Sequence, residues 1–389
     1  MRHIYLDNNA TTPLAPEVFE SMRPYLTDAF GNASSVHWYG QMAKAAVEEA
    51  RESVARLIQA QPAEIVFTSG GTESDNTAIF GVAEAAAERG RARPVHVITT
   101  TVEHHAVLYS AKALEARGVR VTFLPVSAEG VIDPQEIESV ITPETALISV
   151  MHANNEVGTL QPVEEIGRIA AAHGIPFHTD AVQSAGKVPL DVGKIGASLL
   201  SISAHKIYGP KGVGALYARK GTPFRPLLYG GHHERDRRGG TENVAGIVGF
   251  GKAADLALDH LAGDSKALAS LRDRLERGLL EKVPGMAING RGAPRVPNTT
   301  SMKFNYIEGE GFVISADLRG VACSTGAACS SGSLEPSHVL SALGLSKDES
   351  RSTIRFSLGR YNSEADVDYA LEVIPQVVER LRSLSPVRA

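Results

Sequence analysis

The stretch Ser201-Ile-Ser-Ala-His-Lys-Ile-Tyr-Gly-Pro-Lys-Gly212 sets an amine beside a histidine and small hydroxyls, then turns at Gly209-Pro210. Taken by itself a lysine is most often a solvated surface charge. Its neighbourhood argues for more. Ser198 to Ser203 reads as a strand running into Lys206, and Gly212 to Tyr217 as a strand leading away from it. A lysine in the loop that ends a buried strand stands where open α/β sheets keep their chemistry.

Upstream, strands and helices alternate. Glu64 to Thr68, Val95 to Thr99, Val121 to Pro125, Ala146 to Met151 and Pro176 to Asp180 read as short buried strands. Between and before them, Gln41 to Ala60, Glu73 to Ala87 and His104 to Ala116 carry apolar residues at helical spacing. Further helices open behind Asp133-Pro134 and Gln161-Pro162, since proline suits a first helical turn, and Gly174 is placed to end the second of them. Such alternation predicts crossover units, hence a mainly parallel sheet with helices on both faces. Downstream it stops. Thr241 to His260 and Lys266 to Lys282 read as two long helices; strands at Thr300 to Phe304 and Ser352 to Leu358 and a closing helix from Asp366 to Leu384 predict a smaller α+β domain. The N-terminal arm, Asp7-Asn-Asn-Ala-Thr-Thr-Pro13, has the composition of a loop.

Composition excludes several classes. A chain of 389 residues is long for one core and suggests two domains. With 43% hydrophobic and 21% charged residues it is neither fibrous nor disordered. A net charge of −5, with the basic residues dispersed apart from Arg235, Arg237 and Arg238, gives no footprint for nucleic acid or an anionic membrane. No apolar run is long enough for a signal peptide or a span, so a cytoplasmic protein is expected. Two cysteines, Cys323 and Cys329, make neither a zinc knuckle nor a disulfide framework, and either would act as a thiol.

The loops after the strands hold the candidate chemistry. Ser69-Gly-Gly-Thr72, with Gly71 and Thr72 opening a helix, offers amide donors and the positive end of a helix dipole to a phosphate, though such a tetrapeptide is also an ordinary capped turn. Asp180 ends a strand; beside a phosphate cradle and a lysine, a carboxylate is what a pyridinium nitrogen requires, and Gln183 is placed for a ring hydroxyl. His104 or His105 is available to stack on a planar group, and Asn155 offers an amide. Any one of these alone is more simply a satisfied polar group.

Together these motifs resemble the cysteine desulfurases of the NifS/IscS group, within the class V aminotransferase family of fold-type I pyridoxal-phosphate enzymes. The resemblance is carried by Tyr5-Leu-Asp-Asn-Asn-Ala-Thr-Thr-Pro13, Ser69-Gly-Gly-Thr-Glu-Ser-Asp-Asn76, Met151-His-Ala-Asn-Asn-Glu-Val-Gly158, His178-Thr-Asp-Ala-Val-Gln-Ser184 and the opening stretch. It continues through Arg238-Gly-Gly-Thr-Glu242, Ser324-Thr-Gly-Ala-Ala-Cys-Ser-Ser-Gly-Ser-Leu-Glu-Pro-Ser337 and Ile354-Arg-Phe-Ser-Leu-Gly-Arg360, almost the whole chain.

The resemblance implies a large domain over 15–258 and a small one from 1–14 with 259–389, the latter carrying a mobile loop at about 322–333. It implies that Lys206 bonds covalently to pyridoxal 5'-phosphate and that Thr72, Ser203 and His205 bind the phosphate. Asp180 would meet the ring nitrogen, Gln183 the ring hydroxyl and His104 the ring face. Thr241 would reach the phosphate of a neighbouring subunit, hence a homodimer with shared sites. Asn155 and Arg355 would hold the carboxylate of L-cysteine, a guanidinium fork suiting bidentate recognition. Cys329, among small residues, would take the substrate sulfur as a persulfide, release alanine, and hand the sulfur to an acceptor or iron–sulfur scaffold protein. A transient contact of Cys329 with a nascent cluster is implied, and no stable metal site. Cys323, behind Val321-Ala322, reads as an inert buried thiol. A small-amino-acid aminotransferase and a selenocysteine lyase are the neighbouring possibilities, and a non-catalytic assembly partner the remote one.

Overall fold

A computed structural model describes residues 2–88, 95–325 and 336–384. Its strands, in chain order, are β1 (Ile4–Tyr5), β2 (Ile65–Thr68), β3 (His96–Thr100), β4 (Arg120–Leu124) and β5 (Thr145–Ser149). Then come β6 (Phe177–Asp180), β7 (Leu199–Ser203), β8 (Gly214–Ala218), β9 (Met286–Asn289) and β10 (Thr299–Phe304). β11 (Val321–Ala322), β12 (Ser324–Thr325) and β13 (Thr353–Ser357) complete the set.

Seven strands form one sheet in the order β2-β8-β7-β6-β5-β3-β4. All pairs are parallel except the two made by β8, which runs against β2 and β7. Strands β2, β3, β5, β6, β7 and β8 are buried along their whole length, as a sheet covered on both faces demands. The expected mainly parallel sheet is therefore present. Because six strands point the same way, Thr68, Thr100, Ser149, Asp180 and Ser203 end at one edge, and the antiparallel strand brings Gly214 level with Thr68 and Ser203.

The second sheet, β12-β13-β10-β9, is antiparallel, and β1 pairs in parallel with β11. The N-terminal arm thus starts in this smaller unit. Leu6 donates to Ala322 O and accepts from Ser357 N, and Asp7 bridges Ser357, before the arm crosses to the large sheet through Thr12 N and His205 O.

The sequence read residues 241–282 as two helices, whereas the structure has one, Val244–Lys282, 39 residues long. Its first half packs Ile247, Phe250, Ala253, Ala254 and Ala257 into the core under the large sheet. Its second half packs Leu268, Leu271, Leu275 and Leu279 into the core of the small one. The apolar periodicity lapses between them because the helix there bridges two cores; a lone Gly263 weakens a helix without ending it. A helix at Pro16–Leu26 was also missed, since Pro16 acts as its first helical residue and not as loop punctuation.

Candidate active site

The edge where the parallel strands end opens into a cavity of about 300 Å³ whose lining includes Gly71, Thr72, His104, Asn155, Asp180, Gln183, Ser203, His205, Lys206 and Arg355. Ten of the sequence-predicted residues are therefore brought together. Two are not. Thr241 lines a separate pocket with Ser69, Gly212 and Arg238, and Cys329 lies outside the described residues.

Lys206 stands in the short turn after β7, and its Nζ donates to the carbonyls of Asn9 (2.5 Å) and Ala10 (2.8 Å). The arm that reads as a plain loop is thus a wall of the site. Asn9 is its hub: its carbonyl also accepts from Gln183 Nε2 (3.0 Å), and its Nδ2 donates to Asn155 O (3.1 Å) and Thr299 Oγ1 (2.9 Å).

At one end the helix Gly71–Glu88 starts directly behind β2, so the amides of its first turn and the Thr72 side chain face a second opening shared with Ser203, His205 and Lys211. Gly71 has a packing reason: a Cβ there would come within 2.7 Å of Val182 Cγ2. The ring of His205 meets Thr11 Oγ1 at 3.2 Å. Burial and then the Lys206 charge push its pKa down to about 4.

At the other end sits a group of buried carboxyls. Asp180 accepts from Val182 N (2.9 Å), and its pKa is raised to about 6 by burial against the pull of that amide and of Lys206. Beside it, Asp75 and Glu103 are raised further, Asp75 well above the usual range and Glu103 to about 8, chiefly by burial. Burial thus opposes the charged form of all three, while the Val182 amide and Lys206 favour that of Asp180. His178 is neutral: its ring lies between Ser149 Oγ (2.8 Å) and Ser201 Oγ (3.0 Å), and burial pushes it down to about 3. Asp75 was missed. Its only signal was the motif Thr72-Glu-Ser-Asp75, in which a helical residue gives no hint of facing a cavity.

The choice between the paired histidines is resolved by packing. His104 lines the cavity, accepts from Ala106 N through Nδ1 (3.1 Å), and is held neutral with a pKa near about 4 by burial and then by Lys206. His105 stacks instead on Tyr109, centroids 4.9 Å apart, and against His338.

Arg355, on β13, is buried; Nη2 donates to Asp7 Oδ1 (2.8 Å) and Nη1 to Asn155 O (2.9 Å). Ser324 is its cross-strand partner in β12, and Ser337 donates to Glu156 beside Asn155 (2.6 Å). Ser324 and Ser337 therefore both lie next to the two groups expected to hold a substrate carboxylate. Cys323 is buried, and burial with the nearby Asp7 charge drives its thiol far above the usual range, as an inert cysteine requires.

Four buried atoms lining the cavity find no hydrogen-bond partner among the described residues: Asp75 Oδ1, Asn155 Oδ1, Ser203 Oγ and Arg355 Nε. Buried polar atoms are ordinarily paired, and unpaired ones clustered on residues around one cavity are a feature of ligand sites; Asp75 Oδ1 does lie 3.6 Å from His178 Nε2.

Residues 4–370 match the aminotransferase class-V family, and the chain belongs to it. Within that family its likeness is to the cysteine desulfurases. It is 50% identical to "Cysteine desulfurase IscS" of Dictyoglomus turgidum over 385 residues, 99% of this chain and 97% of that one. Among solved structures, a "NIFS-LIKE PROTEIN" superposes with a TM-score of 0.91 at 40% identity, covering 98% of this chain and all of that one. Another, titled "SspA in complex with cysteine", gives 0.81 at 39% identity over 92% of this chain and 99% of its own.

Proposed function

We infer that this chain is a cysteine desulfurase whose cavity holds pyridoxal 5'-phosphate, converting L-cysteine to L-alanine and taking the sulfur onto Cys329 as a persulfide. The observation that carries the cofactor reading is that one cavity is lined by the helix N-terminus at Gly71 and Thr72 with Ser203, by Lys206 and by Asp180. The orphaned atoms fit it too, Ser203 Oγ at the phosphate end and Asn155 Oδ1 and Arg355 Nε where a substrate carboxylate would lie.

When bound, the cofactor's pyridinium ring accepts the electron pair left on the substrate's Cα. The protein does the rest. Lys206 anchors the cofactor and, released from it, takes the Cα proton and returns it. Asp180, the carboxylate of its cluster whose charged form the Val182 amide and Lys206 favour, would hold the ring nitrogen protonated, and neutral His104 would cover the ring. Arg355 and Asn155 orient the amino acid. The Cys329 thiolate attacks the substrate sulfur: the S–S bond forms, the Cβ–S bond breaks with its electrons left on carbon, and protonation of that carbon completes alanine.

The two-domain division, 15–258 against 1–14 with 259–389, is supported by which core each segment joins. A homodimer is supported by an exposed aromatic patch, with Phe30 stacked on Tyr39 and Trp38 edge-on to it, and by Thr241 being exposed and lining a pocket apart from the Lys206 cavity. Among the described residues no helix is long and apolar enough to cross a membrane. Delivery of sulfur to an iron–sulfur scaffold protein in the cytoplasm completes the proposal, on the resemblance of the Ser324–Ser337 segment.

The test is mass spectrometry of the yellow protein after L-cysteine without reductant. An extra sulfur on Cys329, alanine in equal amount, and loss of both sulfur transfer and turnover in Cys329→Ser with the band at about 420 nm intact are expected. Full turnover in that variant sinks the persulfide step, and a protein that takes up no pyridoxal phosphate sinks the whole reading.

A further inference from the structure

Gln183 faces the place expected for the cofactor's ring hydroxyl, and an amide can serve that oxygen with either end. What decides is the group behind it. Lys187 is only 7% exposed, and its Nζ lies 2.7 Å from Gln183 Oε1 and 3.3 Å from Asn9 Oδ1. The Lys187 amine donates at both contacts, so both amide oxygens turn toward it. Asn298 Nδ2 donates to the same Asn9 oxygen at 3.1 Å and fixes the same orientation. The opposite ends are thereby committed: Gln183 Nε2 to Asn9 O and the cavity, Asn9 Nδ2 to Asn155 O and Thr299 Oγ1.

This arrangement is costly, which argues that it is kept for use. A buried lysine whose hydrogen-bond partners are two neutral amides has no counter-ion there. The charged groups that face it, Lys206 and Arg355, are both cations; together with burial they hold its pKa well below that of an ordinary lysine. A hydrophobic residue would fill the same space without that penalty, but it would leave the Gln183 amide oriented only by its Nε2 bond to Asn9 O.

We propose that Lys187 is a positioning residue: by claiming the amide oxygens of Gln183 and Asn9, it makes Gln183 present an N–H to the cofactor's ring oxygen. Resting on the pyridoxal-phosphate reading above, this has a measurable consequence. A fixed donor stabilises the ring oxygen as an anion and weakens its hold on the proton shared with the Lys206 nitrogen. The yellow chromophore then loses that proton at a lower pH than it would without the donor.

The experiment is a spectrophotometric pH titration of the loaded protein, with melting of the unloaded protein recorded alongside. Lys187→Met should raise the midpoint of the yellow band by about one pH unit, and Gln183→Leu should do the same. The double variant should shift no further than Gln183→Leu, because Lys187 acts through that amide. Lys187→Arg, another pure donor with a pocket of about 20 Å³ beside it to enter, should keep the wild-type midpoint, and it decides the matter if the methionine variant does not fold. An unchanged midpoint in Lys187→Met, additive shifts in the double variant, or a Lys187→Arg midpoint displaced by a full unit each overturns the proposal. A wild-type protein with no yellow band overturns the cofactor reading instead.

Discussion

Arg355 and Asp7 are joined by an Nη2–Oδ1 bond of 2.8 Å, and that bond leaves the Nε of Arg355 buried without a partner. One carboxylate of the protein thus orients the guanidinium, and under the proposed function the remaining donor would serve the substrate carboxylate. Asp7 also sits on the arm whose Asn9 and Ala10 carbonyls accept from Lys206, so one short stretch touches both Arg355 and Lys206. Replacing Asp7 by Asn should loosen the fork without removing it. KM for L-cysteine is expected to rise about tenfold, about 1.4 kcal/mol, with a smaller change in kcat. Steady-state alanine formation checks this, and an unchanged KM would show that Arg355 needs no such orientation.

In a cluster of three buried carboxyls, Asp180 is the one whose charged form Lys206 and the Val182 amide favour, while burial raises Asp75 and Glu103. An amide cannot keep a ring nitrogen protonated. Asp180→Asn should therefore bind the cofactor and stay yellow while kcat falls by about a thousandfold, roughly 4 kcal/mol of barrier. Single-turnover measurement of Cα proton exchange locates the loss; activity within a few-fold of wild type counts against the role assigned to Asp180.

How legible the site was follows from where each residue lies. Thr72, Asp180, Ser203 and Lys206 follow buried strands, and strand ends in a parallel sheet converge, so periodicity alone placed them on one edge. Asn9 and Lys187 were illegible for the opposite reason. Asn9 bonds to Gln183, Lys187 and Lys206 across gaps of 174, 178 and 197 residues, and no local pattern encodes such contacts. The long helix was misread for a related cause, since its periodicity answers to two cores in turn. The two-residue strands β1, β11 and β12 are too short for alternation to show.

The loop before Thr241 is held by a buried ion pair. Arg51 meets Glu234 through two bonds of 2.7 and 2.8 Å, and Phe67 N donates to the same carboxylate at 2.9 Å. Glu234, Arg235 and Asp236 all have positive φ, strain that the anchor must offset. Removing one partner strands a buried charge, so Arg51→Met or Glu234→Leu should each cost about 3–5 kcal/mol. The double variant should cost less than the sum of the two. Urea unfolding of all four proteins measures the coupling; strict additivity would mean that the pair acts as two separate contacts.

Glu103 makes stability depend on pH in a direction opposite to that of a salt-bridged acid. It accepts from Thr100 Oγ1 (2.7 Å) and Met151 N (3.0 and 3.1 Å), yet burial outweighs these bonds and lifts its pKa to about 8. In the unfolded chain the same carboxyl titrates at about 4.3. Between those values the folded state holds a proton that the unfolded state has lost, so unfolding free energy falls as pH rises, by up to about 1.4 kcal/mol per pH unit. The contribution is whole below the unfolded pKa, declines through the window and is gone above about 8. Glu103→Gln carries no such proton and should lose that slope. Asp180 and Glu156, raised to about 6 and about 7, titrate in both proteins and largely cancel in the comparison. Urea midpoints of the unloaded proteins at about pH 5, 6.5 and 8 should therefore show wild type gaining on the variant toward acid and falling behind toward pH 8. Parallel profiles would mean that Glu103 is already ionised in the folded protein, and that the charge near the ring nitrogen is shared and not confined to Asp180.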